Sequence, residues 1–298
     1  MSSRIELEKE GIGVHYDIPA GVFQLLLDKH MNYSCGYYLA GDEDLDAAQL
    51  IKMDRIARLI KLGAGDHILD LGCGWCGPAF YYAERFGCRV TAITLSLVQR
   101  DFCLEEARRR GLDGRVQVDL VHALEMSYPP GTFDHVLMLE SIIHIADKGA
   151  LFRRCHEVLR SGGSLFIQES HYDKSSMRET YLTDPGACVV NASFGLTGHL
   201  VSAGEMLMAL EEADFIPELV ENISTHYHRT LAQWLDNLYE YRQRIETVSK
   251  PAFDMLRRYL RIAQATYISG NTVCYQIMSR KRREGARRSA ISYRSSTE

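Results

Sequence analysis

A glycine-rich turn after a short apolar run is the feature that most constrains this chain. Residues 68–71 are followed by Gly72, Gly74 and Gly77. Glycine accepts backbone conformations with positive φ and leaves room for a ligand beside the backbone, and the free N–H groups at a helix start attract polar ligand groups. The turn therefore predicts a strand, a tight loop and a helix that together bind a cofactor.

Short apolar runs alternate with amphipathic stretches between residues 68 and 170, as strands and helices do in a parallel α/β sheet. We expect Gly162 and Gly163 to end the last helix of this region and to turn the chain into its strand. The five strands are expected at residues 68–71, 89–94, 116–121, 135–139 and 164–168.

The whole chain is predicted to form one elaborated domain. Its rhythm breaks after residue 170, and a long helical stretch near the C-terminus is interrupted at Pro251. The predicted parts are an N-terminal helical cap at 1–55, a Rossmann-like cofactor-binding core at 56–170, lid insertions at 171–200 and 228–270, segments at 201–227 and 271–280 that complete the sheet, and a disordered basic tail at 281–298.

The composition of the 298 residues excludes several classes of function. The net charge of −5 gives no reason to expect a nucleic-acid partner, and no apolar run is long enough for an integral membrane segment. The N-terminus lacks a secretory pattern, so we expect a cytoplasmic protein with reduced thiols. Cys73 and Cys76 form a Cys-x-x-Cys pair with no second pair to complete a zinc site, so no metal site is expected.

The residues around the glycines distinguish between two classes of cofactor. A dinucleotide-binding enzyme with this glycine spacing places a carboxylate about 20 residues further on, but the second strand ends at Thr94 without one. Asp70 instead fits the D-x-G-x-G pattern, and the turn resembles that of S-adenosylmethionine-dependent methyltransferases. The alternative is that the glycines only join a strand to a helix.

Several further segments resemble the cyclopropane fatty acid synthase family, in the same order along the chain. The resemblance implies a class I methyltransferase fold, with a Rossmann-like seven-stranded sheet under a helical lid. The matching segments are His15-Tyr16-Asp17, residues 33–38 (YSCGYY), residues 70–75 (DLGCGW), residues 94–99 (TLSLVQ), residues 226–234 (HYHRTLAQW) and residues 269–276 (SGNTVCYQ).

The same resemblance implies a set of residues that bind S-adenosylmethionine and release S-adenosylhomocysteine. They fall into three groups that follow the cofactor from its methionine end to its adenine. The first group is Tyr33, Ser34, Asp70, Gly72 and Gly74 at the methionine end, the second is Thr94, Ser96 and Gln99 at the ribose, and the third is His122, Ala123 and Leu124 at the adenine.

At a second site, the sequence departs from the pattern of this family. Cyclopropane synthases hold a bicarbonate ion with a cysteine, a glutamate, a histidine and a tyrosine. Cys35 and Tyr227 match the cysteine and the tyrosine, but the family's fourth-strand motif aligns with residues 140–144 (ESIIH) and its fifth-strand histidine aligns with Gln168. We therefore do not expect an intact bicarbonate site.

The substituted motif is similar to the E-[AS]-x-x-H element of sterol and isoprenoid carbon methyltransferases. This similarity implies methylation of an olefinic or isoprenoid carbon through a carbocation, with a carboxylate that accepts the proton. Each of these side chains also has a structural alternative, such as holding a loop or filling the core. The catalytic candidates are Glu140, His144, Glu169 and Tyr227, and the acceptor-binding candidates are Tyr16, Cys35, Tyr37, His171 and Phe194.

Other functions stay open at this point. They are O- or N-methylation of a natural product, cyclopropanation of a fatty acyl chain, and cofactor binding without methyl transfer. The expected partner is a small apolar acceptor, with Mg²⁺ only if that acceptor is a diphosphate. Homo-oligomers through the N-terminal or lid helices are a further expectation.

Overall fold

The computed structural model describes residues 5–9, 18–193 and 199–283. The strands are β1 His67–Leu71, β2 Arg89–Thr94, β3 Val116–Leu120, β4 Phe133–Leu139, β5 Leu159–Tyr172, β6 Phe215–Asn222 and β7 Thr272–Lys281. They form one seven-stranded sheet in the order β3-β2-β1-β4-β5-β7-β6, in which β7 runs antiparallel to both of its neighbours.

Helices surround this sheet. They are α1 Ala20–Leu26, α2 Leu45–Ile60, α3 Gly77–Phe86, α4 Leu97–Arg109, α5 Lys148–Val158, α6 Arg178–Thr183, α7 Pro185–Ser193, α8 Ala203–Glu212, α9 Ser224–Glu240 and α10 Arg242–Ile268. Residues 5–9 are also helical. Asp44, Ser96, Asp147 and Ser202 each accept a hydrogen bond from a backbone N–H of the first helical turn, which explains where α2, α4, α5 and α8 begin.

The central strands bury apolar side chains on both faces. Ile68 of β1 and Leu137 of β4 pack in one cluster, and Leu69 and Val136 pack in another cluster on the opposite face. A strand that is covered on both sides reads as a continuous apolar run, which is why these strands could be located from the sequence. The parallel strands β1, β2, β4 and β5 end at one common edge, where the functional site lies.

A third apolar cluster joins α1 to α9 and α10 and forms a layer over that edge. Phe23, Trp234 and Leu256 are buried in it. The long helix α10 is bent at Ser249, whose φ of −162° is not helical and whose hydroxyl accepts a hydrogen bond from the N–H of Ala252. Pro251 therefore lies in the first turn after the bend, where its missing N–H costs no helical hydrogen bond.

Several predicted boundaries differ from the structure. The division at residue 55 falls inside α2, because its one apolar face continues to Ile60 and packs against the core. The core was predicted to end at residue 170, but β5 continues to Tyr172 because it pairs with β7 along that length. The lid segment predicted at 228 begins earlier, with α9 at Ser224. Of the predicted tail 281–298, residues 284–298 lie outside the described residues.

The two glycines that we expected to end a helix lie inside β5 instead. The helix α5 ends at Val158, and Leu159 already pairs with Phe133 of β4. The pairing register shifts immediately afterwards, and Gly162 accommodates the irregularity with a φ of +76°. In the described part of the chain, no helix is both long and apolar enough to cross a membrane.

Candidate active site

A cavity opens at the carboxyl ends of β1, β2 and β4. It contains about 970 Å³ of empty space, its open mouth included, which is within the range of pockets that hold small molecules. Nine of the predicted cofactor-binding residues line it: Tyr33, Ser34, Asp70, Gly72, Gly74, Thr94, Gln99, His122 and Ala123. We call this space the cofactor cavity.

The glycines after β1 allow close approaches that other residues would block. Gly72 and Gly74 have φ values of +78° and +51°. A Cβ atom at Gly72 would lie 2.3 Å from the Cβ of Ser141, and one at Gly77 would lie 1.9 Å from the carbonyl oxygen of His30. The turn after β1 thus packs directly against the turn after β4 and against the loop at residues 28–34, and both belong to the cavity wall.

The segment after β2 places a hydroxyl and an amide in the wall of the cofactor cavity. Thr94 donates from its hydroxyl to the Gln99 carbonyl oxygen at 2.8 Å, which leaves N–H groups as the donors that Gln99 can offer to a ligand. Ser96 does not line the cavity. It caps α4 by accepting from the N–H of Gln99, and so fixes the position of that residue.

His122 follows β3, and its ring forms part of the cavity wall. Both ring nitrogens have hydrogen-bond partners within the protein. Its Nδ1 accepts from the N–H of Leu124 at 3.1 Å, so Nε2 carries the proton in the neutral ring and donates to Glu8 at 3.0 Å. Burial lowers the pKa of His122 and favours this neutral form. Ala123 also lines the cavity, whereas Leu124 only anchors the histidine.

The loop at residues 28–34 was identified only at Tyr33 and Ser34 from the sequence. In the structure, the buried carboxylate of Asp28 accepts from the backbone N–H of Asn32 at 2.7 Å and from its side-chain amide at 3.0 Å. The buried Lys52 of α2 donates to the hydroxyl of Ser34 at 2.7 Å. Asp28 and Lys52 therefore shape the loop that carries Tyr33 and Ser34, and neither was predicted as a cofactor-binding residue.

The cofactor cavity has the polar groups that a cofactor with an amino group, a carboxylate and ribose hydroxyls needs. Asp70 and Gln99 supply an acceptor and a donor in its wall. Asn32 Oδ1 and Trp75 Nε1 are buried in residues that line the cavity and have no hydrogen-bond partner in the described chain. A bound polar ligand can satisfy buried polar atoms of this kind. The residues present thus fit S-adenosylmethionine.

A second cavity adjoins the first and shares Tyr33, Glu140 and His144 with it. We call it the acceptor cavity. It lies between the carboxyl ends of β4 and β5 and the helices α6, α7, α9 and α10. All four predicted catalytic residues line it: Glu140, His144, Glu169 and Tyr227. The wall also contains aromatic and small side chains that we did not single out: Tyr181, Val190, Tyr259, Ala263 and Tyr267.

Glu140 lies where the two cavities meet. Its backbone has a φ of +60°, a conformation that side-chain-bearing residues rarely adopt and that tends to occur at functional sites. One carboxylate oxygen accepts from the N–H of Cys35 at 2.8 Å and from the Gln168 amide at 2.8 Å, and the other accepts from the Tyr227 hydroxyl at 2.5 Å. Burial raises the pKa of Glu140, and these three donors oppose that rise.

These contacts change the interpretation of the residues that resemble bicarbonate ligands. Both Cys35, through its backbone, and Tyr227, through its hydroxyl, donate to the carboxylate of Glu140. The thiol of Cys35 is buried, and its side chain lines neither cavity in the described structure. The chain's own carboxylate thus takes the hydrogen bonds of the matched cysteine and tyrosine.

Glu169 is a second buried carboxylate in the acceptor cavity. It accepts from the N–H of Ile143 at 3.0 Å and from that of Ser170 at 2.8 Å. Burial raises its pKa to about 8, with a further contribution from the nearby charge of Glu140. The buried ammonium of Lys148, whose pKa burial lowers to about 8, donates to carbonyl groups of the turn at residues 142–145. This turn carries His144.

Tyrosine rings form the opposite side of the acceptor cavity. The rings of Tyr227 and Tyr267 lie 4.5 Å apart, and the Tyr267 hydroxyl shares a hydrogen bond of 2.6 Å with Ser170. Burial raises the pKa of both phenols, so they stay protonated. Tyr259, Ala263 and Tyr267 recur at helical spacing along α10, a periodicity that the sequence contained but that gave no indication of a cavity.

The remaining acceptor-binding candidates lie elsewhere. The hydroxyl of Tyr37 donates to Glu221 at 2.7 Å, and the ring stacks on His226 away from the acceptor cavity. His171 is buried, shares a hydrogen bond with the carbonyl of Val201, and lines neither cavity among the described residues. Tyr16 and Phe194 lie outside the described residues.

Comparison with known proteins decides the family. Residues 4–277 match the family described as mycolic acid cyclopropane synthetase. The chain belongs to this family. The family consists of S-adenosylmethionine-dependent methyltransferases, so the recognition from sequence, the class of enzyme and its cofactor are confirmed.

Two curated relatives illustrate the breadth of this family. The probable fatty acid methyltransferase of Pseudomonas putida is 31% identical over 240 residues, which cover 78% of this chain and 58% of that protein. The 27-O-demethylrifamycin SV methyltransferase of Amycolatopsis mediterranei (strain S699) is 31% identical over 215 residues, 72% of this chain and 77% of that protein. The chain thus spans just over half of the first relative's length.

Solved structures confirm the class I methyltransferase fold. The cyclopropane synthase MmaA2 from Mycobacterium tuberculosis superposes with a TM-score of 0.84 at 20% identity, covering 92% of this chain and 98% of that one. A geranyl diphosphate methyltransferase superposes with a TM-score of 0.71 at 18% identity, covering 92% and 98%. At such identities the likeness concerns the fold alone.

Proposed function

We propose that this methyltransferase methylates an olefinic carbon of a small apolar molecule and that Glu140 removes the resulting proton. The observation that carries the proposal is the acceptor cavity, in which buried carboxylates face tyrosine rings and which meets the cofactor cavity at Glu140. An acceptor bound there lies next to the cofactor and within reach of a base.

The residues of the acceptor cavity suit the charge changes of this reaction. The bound cofactor supplies an electrophilic methyl group, which an alkene carbon takes with its π electrons, leaving a carbocation on the neighbouring carbon. The faces of Tyr33, Tyr227 and Tyr267 stabilise such a cation. The carboxylate of Glu140 attracts it and then accepts a proton from an adjacent carbon, and the electrons of that C–H bond form a new double bond.

The two carboxyl groups have different surroundings, and we assign them different roles. Three donors favour the ionised form of Glu140, which a base requires. The pKa of Glu169 is raised to about 8, so at neutral pH its carboxyl keeps a proton and contributes a polar but uncharged wall. No lysine or arginine is among the described residues of this wall, and such a lining favours an uncharged acceptor over a diphosphate.

A second candidate function is methylation of an amine. The same rings and carboxylates suit a cationic nitrogen, and (S)-coclaurine N-methyltransferase of Thalictrum flavum subsp. glaucum is 26% identical over 233 residues, 75% of this chain and 61% of that protein. An amine acceptor needs a base only before the transfer, whereas an alkene needs it afterwards.

The test uses cofactor labelled in its methyl group, a panel of terpenoid and alkaloid acceptors, and the variant Glu140→Gln. We expect the label on carbon, and a loss of kcat of about 100-fold or more in the variant, because general-base catalysis typically contributes about 10²–10⁴-fold. Exposed Glu105→Gln is the matched control.

Label on nitrogen or oxygen would overturn the proposal in favour of heteroatom methylation. A full rate of carbon methylation by Glu140→Gln would instead remove Glu140 from the chemistry.

A further inference from the structure

Two buried glutamines connect Glu140 to an arginine of α2. Gln168 of β5 and Gln276 of β7 are paired neighbours in the sheet, and both are fully buried. Gln276 donates through its amide N–H to the carbonyl oxygen of Gln168 at 2.9 Å. Gln168 in turn donates to Glu140 at 2.8 Å and to the carbonyl of Cys35 at 3.0 Å.

Gln276 is the amide farther from Glu140, and its oxygen accepts a hydrogen bond from an arginine, whose side chain can only donate. Arg55 of α2 donates from Nε to the carbonyl oxygen of Gln276 at 3.1 Å. A guanidinium has no acceptor, so Gln276 must turn its oxygen to Arg55 and its N–H₂ group to Gln168. Gln168 must then turn its own oxygen to Gln276 and its N–H₂ group to Glu140. A flip of either amide would place two donors or two acceptors against each other.

Two further residues, Glu221 and Tyr37, hold Arg55 in place. It forms an ion pair with Glu221, its guanidinium lies 4.6 Å above the centre of the Tyr37 ring, and the Tyr37 hydroxyl donates to Glu221 at 2.7 Å. Glu221 also pairs in register with Gln276 in the sheet. These contacts explain the place of Tyr37, which supports the arginine.

We propose that Arg55 and Gln276 are positioning residues that orient the amide of Gln168 so that a donor, and not an acceptor, faces Glu140. This inference rests on the proposed function, since it concerns the proton acceptor of that reaction. A donor toward Glu140 stabilises the carboxylate, whereas the flipped amide would place a carbonyl oxygen against it. The arrangement thus keeps a buried carboxyl group available as a base.

The decisive variant is Gln276→Glu, which keeps the shape of the side chain and the partner for Arg55. The new carboxylate has no N–H to offer and repels the oxygen of Gln168, which favours the orientation with the N–H₂ group turned outward and the oxygen toward Glu140. We expect the pKa of Glu140 to rise by about one unit or more, a tenfold stronger hold on the proton. The readout is an NMR titration of cofactor-bound protein labelled at the glutamate carboxyl carbons, with Glu140→Gln to assign the signal.

The new charge alone also raises the pKa of Glu140, and a double-mutant cycle separates the two effects. In a Gln168→Met background there is no amide to turn, so Gln276→Glu acts by charge only. A shift that is larger with Gln168 present supports the inference, and equal shifts in both backgrounds would overturn it. The exposed Gln243→Glu should leave the titration unchanged.

Arg55 provides a second route that does not place a charge in the core. Arg55→Lys keeps a donor-only cation and should retain the wild-type titration, whereas Arg55→Met should raise the pKa of Glu140, and by more with Gln168 present than in the Gln168→Met background. Identical titrations of these two variants would contradict the proposed orientation. Because the titration needs neither acceptor nor turnover, it tests the amide chain even if the labelled methyl group is found on nitrogen or oxygen.

Discussion

Glu140 illustrates how one residue is held in a costly state by several neighbours. A left-handed backbone conformation at a residue with a side chain costs roughly 1–3 kcal/mol and persists only where its surroundings determine it. Here the N–H of Glu140 donates to the carbonyl of Gln168 at 2.7 Å, and three donors hold its carboxylate. The strained turn aims the carboxylate at the junction of the two cavities.

Tyr227→Phe removes one of those donors and keeps the ring. Because the hydroxyl favours the charged form, its loss should raise the pKa of Glu140 further. A hydrogen bond to a charged group is worth about 1.5–3 kcal/mol, so the acidic limb of the kcat/KM profile should move to higher pH by about one unit.

The matched control for this measurement is Tyr267→Phe, since Tyr267 lies in the same cavity but shares its hydrogen bond with Ser170. A loss of rate in Tyr227→Phe that is the same at every pH would show that the hydroxyl does not act through Glu140.

The sequence indicated which residue types could serve the reaction better than it indicated where each side chain would lie. Glu140 and Tyr227 came from the resemblance to known motifs, and both line the acceptor cavity. Tyr37 was predicted to bind the acceptor because its ring face could stabilise a cation. Its ring instead lies under Arg55, a contact between residues far apart in the chain that no local pattern indicates.

At the scale of elements, the site depends on loops that pack on one another. The loop at residues 28–34 lies against the start of α3, with the carbonyl of His30 where a Cβ atom of residue 77 would be. The G-x-G-x-x-G spacing was predicted to serve the cofactor directly. For Gly77, the structure adds that the glycine makes room for a second loop, which carries Asn32 and Tyr33.

Gly77→Ala should therefore weaken cofactor binding by displacing this loop. The clash is with backbone, so the loop must move, and overpacking of this kind costs about 1–3 kcal/mol. We expect the Kd for S-adenosylmethionine, measured by calorimetry, to rise about tenfold, since about 1.4 kcal/mol corresponds to that factor.

Gly204→Ala is the control for this change, because a Cβ there meets only a hydroxyl at 3.9 Å at the start of α8. An unchanged cofactor Kd in Gly77→Ala would show that the loop at residues 28–34 does not position the cofactor.

The helical periodicity of α10 was visible in the sequence, but the sequence did not show what this face of the helix packs against. Tyr259, Ala263 and Tyr267 lie on one face, and such a stripe normally packs against a core. Which part of the stripe meets the core and which part lines a cavity depends on where β5 ends, and that is set by the pairing of strands distant in sequence.

For the molecule as a whole, the family resemblance predicted a seven-stranded sheet with a helical lid, while the predicted segment boundaries differ from the structure. The cap was predicted to end before the core begins, yet α2 belongs to both, with Ser34 bound to Lys52 above and Ile60 buried in the core below. Cap and core therefore share one helix, and their stability is coupled.

The buried pair of Glu169 and Lys148 makes this stability depend on pH. In the unfolded chain the pKa of a glutamate is about 4.3, whereas in the fold that of Glu169 is raised to about 8. Between these values the folded protein holds a proton that the unfolded chain has released. Its contribution to stability is therefore present at low pH and is lost as the pH rises toward 8.

The variant Glu169→Gln should not lose stability in this way as the pH rises. As the pH rises through the middle of that range, the wild type should lose about 1.4 kcal/mol of unfolding free energy per pH unit relative to the variant.

Urea unfolding at a series of pH values measures this slope, with the exposed Glu179→Gln as the matched control. The amide accepts fewer hydrogen bonds than the carboxylate does from Ile143 and Ser170, which shifts all values by a constant and leaves the slope unaffected. A difference that does not change with pH would mean that Glu169 is ionised in the folded protein, and the acceptor cavity would then hold two negative charges at neutral pH.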